Sequence, residues 1–191
     1  MSDDLLRREA PSNCIMLIRH AEKPRAGQHG VDDAGDPDSG TLSVTGWRRA
    51  GALVPYFATL AGQVHGRLLG RPRHIFAARP TDRQASTRPR DTVQPLADLL
   101  GIPIDERWAA SDPVDRIAEA LRAFDAPVLV CWRHEELPRL GKALLPDGSV
   151  PRAWPEDRYD VTWAFRRDGD RWKLLQVPQL LLAGDRADLL R

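Results

Sequence analysis

Three short apolar runs that each break off at a basic residue decide most of what this chain can fold into. Cys14-Ile15-Met16-Leu17-Ile18 stops at Arg19-His20, and Pro127-Val128-Leu129-Val130-Cys131-Trp132 stops at Arg133-His134. His74-Ile75-Phe76-Ala77-Ala78 stops at Arg79-Pro80. Runs this short, with no alternation of polar residues, read as strands buried on both faces, the situation of a parallel sheet. The intervening stretches carry helical spacing. Trp47, Ala50, Val54 and Phe57 mark one helix, which Ser43 or Thr45 can cap; Pro55 leaves its end open. Thr92 to Leu100 predicts a second helix closed by Gly101, Val114 to Phe124 a third and Glu135 to Leu144 a fourth. Ile102-Pro103-Ile104 is a candidate short strand. Near the end, Tyr159 to Phe165 and Trp172 to Val177 form a hairpin pattern around Asp168-Gly169.

Alternating strands and helices predict an α/β fold: a three-layer α/β/α sandwich with a mostly parallel central sheet and a C-terminal β-hairpin. No internal repeat or linker divides the chain, so residues 1–191 are expected to form a single domain. In such sheets ligands bind just outside the carboxyl ends of the strands. Two strands ending in Arg-His therefore bring His20, His134 and nearby arginines to one edge.

That set suits phosphate chemistry. A phosphoryl group carries close to two negative charges at neutral pH, and guanidinium groups match its oxygens with forked, charge-assisted hydrogen bonds. A neutral imidazole can attack phosphorus, flanking arginines disfavour its cationic form, and a carboxylic acid can protonate the leaving oxygen. The scheme needs neither a metal nor a cofactor.

The motifs also resemble a known family. Leu17-Ile18-Arg19-His20-Ala21-Glu22 looks like the signature Arg-His segment of the histidine phosphatase superfamily, which includes cofactor-dependent phosphoglycerate mutases and acid phosphatases. Leu42-Ser43-x-x-Gly46 looks like its second motif. Arg88-Pro89-Arg90-Asp91-Thr92 resembles its Arg-x-x-Gln-Thr segment, with Asp91 in place of Gln or Glu, and Val128-Leu129-Val130-x-x-x-His134 resembles its strand-then-histidine segment. Order and spacing agree over about residues 14 to 140. The resemblance implies that His20 is phosphorylated, that Arg19 and Arg88 bind the phosphoryl oxygens, and that His134 completes the pocket. Arg79 and Arg83 rival Arg88, because the segment before it is extended. For the proton donor, Glu135 leads, with Glu22, Asp105, Glu106 and Asp112 as alternatives.

The function expected is a phosphomonoesterase working through a phosphohistidine, on a phosphorylated metabolite or a phosphoprotein. The alternatives are a non-catalytic phospho-ligand binding protein on the same fold and a phosphoglycerate mutase. Twenty-eight basic against 27 acidic residues give a net charge of +1, so nothing argues for nucleic acid or an anionic membrane as partner. No apolar run reaches the roughly 20 residues that span a bilayer. Met1 to Glu9 lacks the apolar core of a signal peptide, so the cytoplasm is the expected location. Cys14 and Cys131 read as buried free thiols. Arg79, Arg133 and Lys23 read as surface charges. The acidic loop from Asp32 to Asp38 lacks the spacing of a calcium loop, His134-Glu135-Glu136 lacks a second zinc-binding histidine, and His29, His65 and His74 show no ligand spacing. Pro24 to Thr41 is a loop able to lie over a site, and with residues 79–87 it is where specificity is expected.

Overall fold

The computed structural model describes residues 13–58, 68–169 and 171–191. His65, the segment Met1 to Glu9 and Asp170 of the hairpin turn lie outside them. The three apolar runs become β1 (Cys14–Arg19), β4 (His74–Ala77) and β6 (Val128–Trp132). Successive side chains of a strand point to opposite faces, so each run feeds two cores. Ile15, Leu17, Phe76, Val128, Val130 and Trp132 pack to one side, against Ile117, Leu121, Leu137 and Leu140. Met16, Ile18, Ile75, Ala77, Leu129 and Cys131 pack to the other, against Leu53, Phe57, Val93 and Leu96. The helices are α1 (Val44–Ala58), α2 (Arg88–Leu100), α3 (Val114–Arg122) and α4 (Leu137–Leu144). The first pair supplies one outer layer and the second pair the other. This is the expected three-layer sandwich.

The sheet has six strands in the order β5-β4-β6-β1-β7-β8, where β5 is Ile104–Asp105, β7 is Val161–Asp168 and β8 is Arg171–Pro178. Strands β5, β4, β6 and β1 run parallel; β7 is antiparallel to β1 and forms the hairpin with β8. Register aligns the functional edge. Arg19 lies opposite Trp132 and Ala77 opposite Cys131. The pairing runs one residue further, since the His20 amide donates to the Trp132 carbonyl at 3.0 Å and the Ala78 amide to that of Cys131 at 3.1 Å. Because β7 is antiparallel to β1, its beginning comes to this same edge.

Several boundaries differ from the sequence reading. Helix α2 begins at Arg88, not Thr92; Pro89 sits in the first turn, where a missing N–H costs nothing. Helix α4 begins at Leu137, leaving Glu135 in the turn before it. Helix α1 runs through Pro55 to Ala58. Tyr159 precedes β7 instead of opening it. The loop after Pro24 holds a small second sheet, β2 (Gly30–Val31) paired with β3 (Pro37–Asp38). Gly101 does close α2 in the left-handed region, at φ 63°, its amide reaching the carbonyls of Ala97 and Asp98. Cys14 and Cys131 are buried and free, and burial pushes both thiols up, Cys14 to about 12. No helix among the described residues is long and apolar enough to cross a membrane.

Candidate active site

The backbone leaving β1 is pinned before any chemistry begins. The Ala21 amide donates to Thr92 Oγ1 at 2.8 Å, and that hydroxyl donates to the Arg88 carbonyl at 2.7 Å. The Glu22 carbonyl accepts from both the amide and the hydroxyl of Ser43, at 3.0 and 3.1 Å. Ser43 Oγ also takes the Gly46 amide at 3.1 Å, which caps α1. A Cβ at position 46 would stand 2.5 Å from the Glu22 carbonyl oxygen, so only glycine allows this approach. The Ser43-x-x-Gly46 motif thus fixes the loop that carries His20.

His20 is buried, with 6% of its surface exposed. Its Nδ1 lies 2.8 Å from the Ala21 carbonyl. A carbonyl only accepts, so Nδ1 carries the proton and the Nε2 lone pair is left for attack. Burial drives its pKa down to about 3; the Ala21 hydrogen bond opposes this, and the charges of Arg19, Arg88 and Arg133 add to it. The imidazole is therefore neutral across the ordinary pH range.

That displacement has a consequence for stability. Between about pH 3 and the ordinary value of 6.5, the unfolded chain takes up a proton that folded His20 refuses. Folding stability then falls as pH falls through this window, by about 2 kcal/mol between pH 6.5 and 4.5. Urea melts at both pH values should show this loss shrinking in a His20→Asn variant; an unchanged difference would mean that His20 does not supply it.

Arg19 is only 1% exposed, and its grip comes from far along the chain. Nη1 donates to the carbonyls of Pro155 (3.2 Å), Glu156 (2.5 Å) and Arg158 (3.1 Å). The Tyr159 ring covers the guanidinium at 3.8 Å. Nε and Nη2 are buried and make no hydrogen bond among the described residues. These two donors form one planar edge, the edge that matches two oxygens of a phosphoryl group. Burial holds the guanidinium below its usual range, partly offset by Tyr159, Glu135, Glu156 and Glu22.

Arg88 is fixed by the loop before α1: Nε donates to the Thr41 carbonyl at 2.9 Å and Nη2 to that of Ser39 at 2.7 Å. Asp91, one turn on, accepts from the hydroxyls of Thr41 and Thr87, each at 2.7 Å. The unusual residue of the Arg-x-x-Gln-Thr segment therefore braces the loop that holds Arg88. Arg88 is among the charges acting on His20.

His134 has a side chain 16% exposed, with Nδ1 3.1 Å from Glu135 Oε2 but without the alignment of a hydrogen bond. Burial, then Arg19, holds its pKa down. Glu135 is 55% exposed, and the same oxygen lies 3.9 Å from Arg133 Nε. The other acids are engaged elsewhere. Glu22 is clasped by Arg49 at 2.8 Å, Asp105 by Arg107, and Asp112 accepts from the Ala109 amide. Glu106 lies beside Asp105 in a cleft of about 650 Å³ whose lining includes Arg73, His74 and Phe124, not the residues around His20. Among the described residues no cluster of three or more His, Cys, Asp or Glu is placed to hold a metal ion.

Tyr159 and Arg133 were not read as site residues. A polar stretch just ahead of the hairpin was the signal for Tyr159, since an antiparallel strand beside β1 starts where β1 ends.

No family model matches the sequence, and no curated protein matches it. Solved structures do. A protein histidine phosphatase SixA, complexed with tungstate, matches with TM-score 0.54 and 14% identity, over 87% of this chain and 97% of its own. A mycobacterial glucosyl-3-phosphoglycerate phosphatase, in complexes with VO3, matches with TM-score 0.51 and 16% identity, over 85% and 97%. A protein described as mycobacterial hydrolase 2 gives TM-score 0.54 at 13% identity, over 85% and 88%. The chain shares its fold with these solved structures.

Proposed function

We propose that this chain is a metal-independent phosphomonoesterase that works through a phosphohistidine on His20. The observation that carries the reading is the pairing of a neutral His20, its Nε2 left open by the Ala21 hydrogen bond, with the unpartnered Nε/Nη2 edge of Arg19. The Nε2 lone pair attacks phosphorus as the ester P–O bond breaks. The leaving oxygen takes a proton from Glu135. Arg19, Arg88 and His134 hold the non-bridging oxygens as charge shifts onto them. Water then attacks the phosphohistidine, its proton passes to Glu135, the N–P bond breaks, and neutral His20 returns. The guanidinium groups supply the positive charge the reaction needs.

The substrate is a phosphorylated metabolite or phosphoprotein. SixA, by its name a protein histidine phosphatase, and the glucosyl-3-phosphoglycerate phosphatase stand for those two classes. A single domain spanning 1–191 and a cytoplasmic location belong to the same proposal; two buried free thiols suit a reducing compartment. One observation favours a second reading, a non-catalytic phospho-ligand binder: Glu135 is exposed, and the other candidate donors lie in ion pairs or away from His20.

One experiment separates the two. The protein mixed with p-nitrophenyl phosphate is expected to release phosphate with turnover, and acid-labile, base-stable phosphoprotein should appear on rapid quenching. Binding of phosphate esters with neither turnover nor phosphoprotein would sink the catalytic reading.

A further inference from the structure

We infer that Arg133 is a specificity residue for a second anionic group, a carboxylate or another phosphate, carried by the substrate close to the phosphoryl group that His20 attacks. This rests on the proposed phosphate site and deepens it. Arg19 and Arg88 together already match the charge of one phosphoryl dianion. Arg19 contributes two buried donors, and Arg88 is locked to two loop carbonyls. Arg133 is a third guanidinium in the same neighbourhood: it directly follows Trp132, which lies opposite Arg19 and whose carbonyl takes the His20 amide at 3.0 Å, and it acts as a like charge on Arg88 and His20.

Its own surroundings give it little to do. Among the described residues the anion within ion-pair reach is Glu135, at 3.9 Å, and the Glu135 oxygen concerned is nearer to His134, at 3.1 Å. Its guanidinium donates no hydrogen bond among the described residues, and its side chain is one-quarter exposed. Its backbone is nevertheless rigidly set. The Arg133 carbonyl accepts from the amides of Glu136 and Leu137, both at 3.1 Å, where the chain turns from β6 into α4. The Arg88 and Arg133 guanidinium groups act on one another as like charges, and such repulsion is relieved when negative charge lies between them. One phosphoryl group is satisfied without Arg133, so the surplus cation fits a ligand with a second negative group.

The test uses calorimetry on the whole protein with two probes that cannot be hydrolysed, methylphosphonate (one anionic group) and methylenediphosphonate (two). Wild type should prefer the diphosphonate by at least about tenfold, the worth of one charge-assisted contact. Arg133→Gln should collapse that preference to within about threefold and leave methylphosphonate affinity within about threefold of wild type. Arg133→Lys should keep part of the preference. A preference that survives in Arg133→Gln, equal weakening of both probes, or no preference in wild type would each overturn the inference. Phosphate release is not used, so failure of the phosphatase reading shows separately, as an intact binding ratio in a protein without turnover.

Discussion

Replacing His20 by alanine is expected to lower phosphate release from p-nitrophenyl phosphate by roughly 10⁴- to 10⁶-fold, as loss of a covalent nucleophile does elsewhere. The fold should survive. His20 makes one side-chain hydrogen bond, to its neighbour Ala21, and the loop around it is held by Thr92, Ser43 and Gly46 instead. Circular dichroism should therefore be unchanged, and the quenched phosphoprotein should vanish with activity. Activity that persists in a folded His20→Ala protein would defeat the mechanism, because no other imidazole leaves β1. The pH profile gives a cross-check. His20 is neutral down to about pH 3, so an acid limb of activity at higher pH must come from another group.

The second large effect falls on stability. Arg49 is 3% exposed and holds two carboxylates at once, Glu22 through Nε and Nη2 and Asp185 through both terminal nitrogens. Burial alone would lower its pKa, but those partners outweigh it and raise it. Asp185 in turn accepts the amides of Leu181 and Leu182. Arg49→Ala strands two negative groups near one another in a largely buried place, and the expected cost is about 3–5 kcal/mol. For a chain of this length that is a fall in melting temperature of roughly 6–20 °C. Adding Glu22→Gln and Asp185→Asn to the variant should recover part of the loss, since the repulsion goes with the charges. A melting temperature within a degree of wild type would show that the cluster contributes nothing.

The sandwich was legible in the sequence because its central strands are buried on both faces, and burial of that kind writes itself as an unbroken apolar run. His20, His134 and Arg19 were legible for the same reason: they stand where the runs stop. The sequence places the start of α2 four residues late, because Pro89 looks like a breaker yet is tolerated in a first helical turn, and the start of α4 two residues early. Arg133 reads as a surface charge, since nothing local in the sequence distinguishes a solvated side chain from one beside a second cation. Arg49 and Asp185 are 136 positions apart, and no periodicity within one chain announces such a pair.

The hold on Arg19 carries a consequence for how the protein can be divided. A fragment ending at Leu144 would contain every motif residue, from Arg19 through His134, and all but the last two strands of the sheet. It would lack Pro155, Glu156, Arg158 and Tyr159, the four residues that seat the Arg19 guanidinium. The part of the molecule that looks catalytic is thus incomplete as a catalyst. The hold on Arg19 is a long-range contact, closed only when Pro155 to Tyr159 dock beside β1, so on the proposed mechanism the emerging chain would complete its anion grip after those residues leave the ribosome and not when His134 does.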